Sequence, residues 1–338
     1  MDKRTIAFNE DLHKYTDEYN KVYTSVTQLI GKYEPIYDDE FWAIYRSIDQ
    51  MAIYKPRPFL EERCIEIKYN GTRQKFSLDT LTDLLTVYKT HNEVKQEWTQ
   101  IKEEACDWGN GKHKYLEDCI DRFCKSKHIS FNDIVDTGRT AEQTFAFKIT
   151  SVEELENSPL QFTYPSIYNI LKNYILSGCT IFAEKRIYNA HYQIAGTIDV
   201  LIVKGNKFII LDWKTNRKKL KFESGYYKKI WTPDRLKKIE TDEWVSTNQC
   251  FNPPLSHLPY CKGNTYNLQL SLYSTLCELW GMTCSGIILC HLRPQCNDKG
   301  EIVYDCDGNR IELEPEIYNM NFNKKDCITL LNHQLNNN

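Results

Sequence analysis

Gly196–Thr215 reads GTIDVLIVKGNKFIILDWKT. Aliphatic and β-branched residues crowd both sides of Gly205-Asn206. A glycine at the first position of a two-residue loop suits a type II′ hairpin turn. Folding back at that loop sets Asp199 opposite Asp212, with Cβ atoms roughly 4.5–5.5 Å apart. Like charges facing each other destabilise a sheet. Burial among Ile198, Val200, Ile210 and Leu211 raises the cost of each charge. A divalent cation bridging the two carboxylates removes the conflict, and oxygen ligands suit Mg²⁺ or Mn²⁺. Side chains alternate along a strand, so Lys214 shares the face of Asp212 while Trp213 points away. A lysine so placed can orient a water, help deprotonate it or steady a phosphate. The plainer reading is an Asp–Lys ion pair at a strand end. The three residues in one register favour chemistry.

The chain has 338 residues, enough for one large domain or two modest ones. Its net charge of −3 excludes a globally basic nucleic-acid binder, so such a partner must meet a local patch. The N-terminus lacks the apolar run of a secretory leader, and no window reaches the ~18 apolar residues of a membrane span. Thirteen cysteines in such a chain are expected to be reduced thiols of a soluble intracellular protein in cytoplasm or nucleus, those of a host cell if the chain is viral. Cys284, Cys290 and Cys296 recur evenly, but without a C-x-x-C pair they read as scattered thiols rather than a zinc or iron–sulfur site.

Around the opening stretch the patterning alternates between strand and helix. Residues 5–24 read as a hairpin, followed by a helix that Ser25 or Thr27 could cap. A second hairpin turns at Asn70-Gly71. Residues 81–127 are mostly helical, broken at the GNG of 109–111, and residues 130–160 read as a loop or insertion. YPSIYNILKNYIL predicts a helix, CTIFAEKRIYN a strand, YNLQLSLYSTLCELW an amphipathic helix and SGIILCHLRP a further strand. A short helix is expected near 325–332, and the terminal asparagines read as a frayed tail.

GTIDV…LDWKT resembles the G-x-x-D…D-x-K core of the PD-(D/E)XK nucleases, in the RecB-like branch where Asp precedes x-Lys. Upstream, GNGKHKYLE resembles that branch's G-x-x-x-H-x-x-x-E motif, with Gly109, His113 and Glu117 at the matching positions. Downstream, QLSLY resembles its Q-x-x-x-Y motif, through Gln269 and Tyr273. Glu184, in FAEKRIY, stands where the family often has an acid, though it reads equally as a surface residue beside Lys185 and Arg186. Within the branch, SVTQLI points to the group of mitochondrial genome maintenance exonucleases and their viral relatives. The resemblance covers about residues 109–294.

It implies an α/β, restriction-endonuclease-like core, a central mixed β-sheet flanked by helices, with an N-terminal hairpin and helix elaboration. The expected organisation is residues 1–100 as elaboration or strand-guiding lid, 101–332 as nuclease core with a basic insertion at about 216–265, and 333–338 as tail. It implies that Asp199, Asp212, Lys214 and Glu184 are catalytic. His113, Asp199, Asp212 and the backbone carbonyl of Trp213 would hold Mg²⁺ or Mn²⁺. Glu117, Gln269 and Tyr273 would support the site, and Ser25 and Thr27 would touch a phosphate or merely cap their helix. The closely spaced C-terminal cysteines of cluster-bearing relatives are missing, so no iron–sulfur cluster is expected.

Residues 214–238 hold ten Lys or Arg against two acids, with Tyr226, Tyr227 and Trp231 interleaved. Cations follow phosphates and rings stack on unpaired bases, so Arg217, Lys218, Lys219, Tyr226 and Tyr227 suit single-stranded DNA. A solvated loop is the plainer reading. The expected activity is metal-dependent DNA hydrolysis by an exonuclease in replication, repair or recombination. The alternatives are an endonuclease of the same fold and a non-catalytic nucleic-acid-binding module. Neither a membrane nor a particular protein partner is indicated.

Overall fold

A computed structural model of the chain describes residues 6–9, 12, 14–51, 57–59, 64–69, 72–85, 90–121, 129–130, 145–149, 151–156, 158–231, 238–297 and 300–336. Strands β1 (Ile6–Asn9), β2 (Lys14–Asp17) and β3 (Val22–Ser25) lead into helix α1 (Val26–Gly31). Helix α2 (Asp39–Met51), strands β4 (Arg57–Phe59), β5 (Cys64–Tyr69) and β6 (Thr72–Ser77), and helix α3 (Leu78–Leu85) follow. Then come helix α4 (His91–Asp121), strands β7 (Ile129–Ser130) and β8 (Phe145–Ile149), and helices α5 (Val152–Glu156), α6 (Leu160–Thr163) and α7 (Pro165–Leu176). Strands β9 (Thr180–Asn189), β10 (Ile194–Lys204), β11 (Lys207–Thr215), β12 (Gly225–Trp231) and β13 (Lys238–Ser246) precede helix α8 (Lys262–Leu279). The chain closes with β14 (Thr283–Leu292), β15 (Glu316–Met320) and α9 (Lys324–Asn336).

The fold is α/β, with a mixed central sheet flanked by helices. Strand β10 is its axis. One edge pairs antiparallel with β9 along nearly its whole length. The other edge is shared: β3 runs parallel to its first residues, Ile194 and Ala195, and β11 runs antiparallel to Val200–Lys204. Beyond β11 lie parallel β14 and antiparallel β15. The hairpin closes at Gly205-Asn206 as expected, with Lys204 opposite Lys207 and Gly205 at φ +60°.

Alternation along these strands divides the core between the two faces. Leu201, Val203, Phe208, Ile210 and Leu289 pack with residues of α1, α8 and α9. Val200, Ile202, Leu211, Trp213 and Cys290 pack with Leu116 and Cys119 of α4 and with α7. Two-sided burial explains why these strands read as continuous apolar runs. It also alters the expectation for α8. That helix is not amphipathic over its centre, since every residue from Leu268 to Cys277 except Gln269 is buried.

Other expectations need correction. Helix α4 runs unbroken through Gly109 and Gly111, whose cost of about 1 kcal/mol each a long helix can absorb. Part of the presumed loop at 130–160 is regular, since β8 pairs with β9 and α5 follows; residues 131–144 lie outside the described residues. Part of the basic stretch 216–265 is regular, since β12 and β13 form a two-stranded ribbon. The Asn70-Gly71 turn lies outside the described residues, although Tyr69 pairs with Thr72 on either side of it.

Two compact units emerge: residues 1–35, 109–229 and 240–338 form one, and 36–108 with 230–239 the other. The first 35 residues thus group with the sheet rather than with residues 36–100. The second unit has its own core of Phe41, Ile44, Ile65, Leu78 and Leu81. Among the described residues, the cysteines are free thiols, and no helix is long and apolar enough to cross a membrane.

The C-terminus is not frayed from residue 333. Gln334 is buried, accepts from Lys32 Nζ at 2.7 Å and donates to Thr24 Oγ1 at 3.2 Å. Tyr33 Oη lies 2.6 Å from His333 Nδ1. Deleting residues 333–338 should therefore lower stability by ~1–3 kcal/mol, the cost of stranding such partners, as measured by urea unfolding. A loose tail would leave the midpoint unchanged.

Candidate active site

The hairpin register holds through Val200 opposite Leu211, one residue short of the acids. There β10 and β11 part, and the Asp199 carboxylate takes over a backbone role: its Oδ2 accepts the Trp213 N–H at 2.9 Å. The acids are neighbours, as the sequence implies, but Asp199 is pinned to the opposite strand's backbone. The opening lies along the β10 edge between its β3 and β11 pairings.

Lys214 Nζ stands 2.5 Å from Asp212 Oδ2. That oxygen is buried, with the ammonium directly against it. Burial first, then Asp199, holds the Asp212 carboxyl above the ordinary carboxylate range. Burial also opposes the charge on Lys214, but Asp212 and Asp199 outweigh it and raise its pKa. Glu184 joins the cluster: burial, then Asp199, Glu117 and Asp212, push its carboxyl up. Its backbone sits at φ +51°, and the ladder between β9 and β10 skips Glu184 and Asp199. A non-glycine residue in that region stores roughly 1–3 kcal/mol, and such outliers gather at functional sites.

His113 reaches the cluster from α4, with Nδ1 3.5 Å from Asp199 Oδ2. Glu117, one turn on, is held by Lys114 at 3.0 Å and lies near enough to Glu184 to raise it. Gly109 explains how the helix comes so close: a Cβ there would stand 2.9 Å from Thr215 Oγ1. Gly196 plays the same part on the other side. Its missing Cβ would lie 2.5 Å from Tyr273 Cε1, so the ring of α8 rests on bare backbone. Gln269 Nε2 donates to Tyr273 Oη at 2.9 Å. The Tyr273 hydroxyl is held far above its ordinary range, chiefly by burial.

Ser25 caps α1 in a capping box with Gln28, and its Oγ lies 3.0 Å from Thr27 Oγ1. Arg217 bonds the carbonyl of Gly300, Lys218 pairs with Asp242 at 3.3 Å, and Lys219 lies 3.9 Å from Glu316. Tyr226 is exposed on β12, while Tyr227 packs edge-on against Trp244 at 5.0 Å.

Three residues escaped the sequence reading. Tyr15 Oη lies 3.0 Å from Thr197 Oγ1, placing a β2 ring beside Asp199 and Glu184. Only long-range docking of β1–β3 puts it there. The Tyr266 ring lies 5.3 Å from Lys214 Nζ, and its hydroxyl donates to Asn216 at 3.0 Å. Its spacing of three and seven residues before Gln269 and Tyr273 was a legible signal. His291 pairs in register with Lys214 and is fully buried. Burial, then Arg293, drives its pKa down to about 4, so the ring is neutral.

Among the described residues, no three His, Cys, Asp or Glu side chains already converge as a metal cage. The donor set nonetheless fits a hard divalent ion. Glu184, Asp199 and Asp212 against Lys214 leave two excess negative charges when all are ionised, and carboxylate oxygens are the ligands such an ion takes. The class is thus an α/β protein with a carboxylate–lysine cluster at a strand divergence. No family model, curated protein or solved structure matches the chain.

Two outcomes follow. Gly196→Ala should cost roughly 1–3 kcal/mol in urea unfolding by driving a methyl into a buried ring; in the Tyr273→Ala background that extra cost should vanish. Folded Glu184 and Asp212 hold protons more tightly than unfolded ones, so the folded state binds more protons above the ordinary carboxylate range. Stability without a divalent cation should therefore fall as pH rises through and above that range. Glu184→Gly, which relieves both charge and φ strain, should flatten that decline in thermal melts.

Proposed function

We propose that the chain is a metal-dependent nuclease that hydrolyses DNA phosphodiester bonds, acting as an exonuclease on single strands or DNA ends. The observation that carries the reading is the cluster itself: Asp199 and Asp212 flank Lys214 at a strand divergence, Glu184 crowds both acids, and His113 lies 3.5 Å from Asp199. A structural ion pair needs one acid, and two further carboxylates only raise its cost. The strands β9–β10–β11–β14 with α4 and α8 suit a restriction-endonuclease-like core of the RecB-like kind. The resemblance gains support because both motif glycines are contact points, Gly109 for Thr215 and Gly196 for Tyr273.

In this reading His113, Asp199, Asp212 and the Trp213 carbonyl would hold one or two Mg²⁺ or Mn²⁺ ions, which would polarise the phosphoryl group and acidify water. Asp199 is kept in place by the Trp213 N–H. Lys214, charged through its two acidic neighbours, orients the attacking water or steadies the phosphate. Tyr266 over its ammonium limits where that lysine can swing. Gln269 and Tyr273 brace Gly196 and hence the strand that presents Asp199. The cations after Lys214 follow the phosphates of the strand.

The test is incubation with end-labelled single- and double-stranded DNA and with circular single strands, in Mg²⁺, Mn²⁺ or EDTA. Cleavage should require a cation and a free end. Lys214→Ala should lower the rate by about 10²–10⁴-fold while leaving DNA binding in place. Cutting of circles would make the enzyme an endonuclease. Failure to cut under either metal, with binding retained, would leave a nucleic-acid-binding module instead.

A further inference from the structure

Directly beyond Lys214 the chain walls a cavity of about 360 Å³, within the ~300–1,000 Å³ usual for small-ligand sites. Arg217, Lys218, Lys219, Lys221 and Lys262 line it, and among the described residues no carboxylate does. Lys218 and Lys219 have acidic partners, Asp242 and Glu316, outside the lining. Among the described residues, Lys221 and Lys262 pair with no acid. Such a concentration of cations in a concave wall calls for an anion.

The opposite requirement comes from the rings. Tyr227 and Trp244 meet edge-on at 5.0 Å, and the lysines lean on them: Lys218 Nζ lies 5.2 Å from the Tyr227 centroid and Lys221 Nζ 5.7 Å from that of Trp244. Trp244 is held against bare backbone. A Cβ on Gly225 would meet the Val245 carbonyl at 2.3 Å and the indole at 2.8 Å. Among the described residues the indole Nε1 has no hydrogen-bond partner, and it is out of solvent. A bare anion would satisfy the lysines and waste the rings, whereas an apolar ligand would strand the lysines.

We propose that this cavity is a single-nucleotide subsite, taking the base of one nucleotide of a DNA single strand against Trp244 and Tyr227 and its phosphate against Lys221 and Lys262. Its place beside a scissile bond rests on the nuclease reading; the binding itself does not. The ribbon β12–β13 exists, on this view, to carry the ring wall to the end of β11. The two paired strands bring Tyr227 and Trp244 together, one ring from each, so neither ring suffices alone. The site gives the strand a grip that is independent of the metal and tolerant of base identity, because every base has a face to stack.

The experiment uses the full chain in EDTA, with fluorescein-labelled oligo(dT) followed by anisotropy. Trp244→Ala should weaken binding roughly 5- to 150-fold, the range of one lost stacking contact, and leave the salt dependence unchanged. Lys221→Ala should instead reduce the slope of log K against log salt by about 0.7, the loss of one phosphate contact on a single strand. Trp244→Phe keeps a ring and should retain most of the affinity, which guards against misfolding of the alanine variant. Deoxyadenosine 5′-monophosphate should compete better than deoxyribose 5-phosphate. Equal competition by the two, or unchanged oligonucleotide binding in Trp244→Ala with normal melting, would overturn the subsite. Loss of cleavage under every metal with this binding intact would overturn only the nuclease reading.

Discussion

The structure turns on the contact between the Asp199 carboxylate and the Trp213 amide. A strand pair normally continues by backbone pairing, and here a side chain ends it. Once Asp199 occupies that amide, β10 and β11 diverge and Asp212 and Lys214 are presented at the open end. The same edge of β10 has already accepted β3 at its start. The stretch Gly196–Asp199 is left between two partners, on an edge that neither covers.

Holding that opening requires support from both faces, which the glycines make possible. Tyr273 of α8 packs on Gly196, and Gly109 of α4 packs on Thr215. Each contact replaces a Cβ by a neighbour, so the helices approach closely enough to bring His113 to Asp199 and Tyr273, held by Gln269, onto Gly196. Crowding three carboxylates together opposes stability, and the positive φ of Glu184 adds strain to the same spot. Such expense sits on a sheet buried on both faces, where the core can absorb it.

Much of the local structure was legible. The Gly205-Asn206 turn, the neighbouring acids and the α7 and α9 helices all follow from patterns within a few residues. The failures have a common cause. Gly109 and Gly111 looked like a break because helix propensity penalises glycine, yet α4 runs through them for the sake of a packing contact with β11. Helix α8 looked amphipathic because its polar residues are spaced as on a surface. Instead Ser271 accepts from the Asn323 amide, and Thr275 donates to the Ser271 carbonyl, so both are satisfied inside. The terminal asparagines hid the docking of His333 and Gln334, which no local pattern can announce.

By itself, then, the amino-acid sequence determined the hairpin, its register and the presence of two acids and a lysine at its open end, because a two-residue turn and strand alternation act over short distances. Only the tertiary structure decided what surrounds them. Tyr15 arrives from a strand some 180 residues away in sequence and pairs with Thr197 at 3.0 Å. His291 reaches the side of Lys214 through a parallel strand, and Tyr266 through the packing of α8. Those placements depend on which edge of β10 each segment takes and on how close a helix can come. That is a matter of excluded volume across the whole core, and no short stretch of chain contains it.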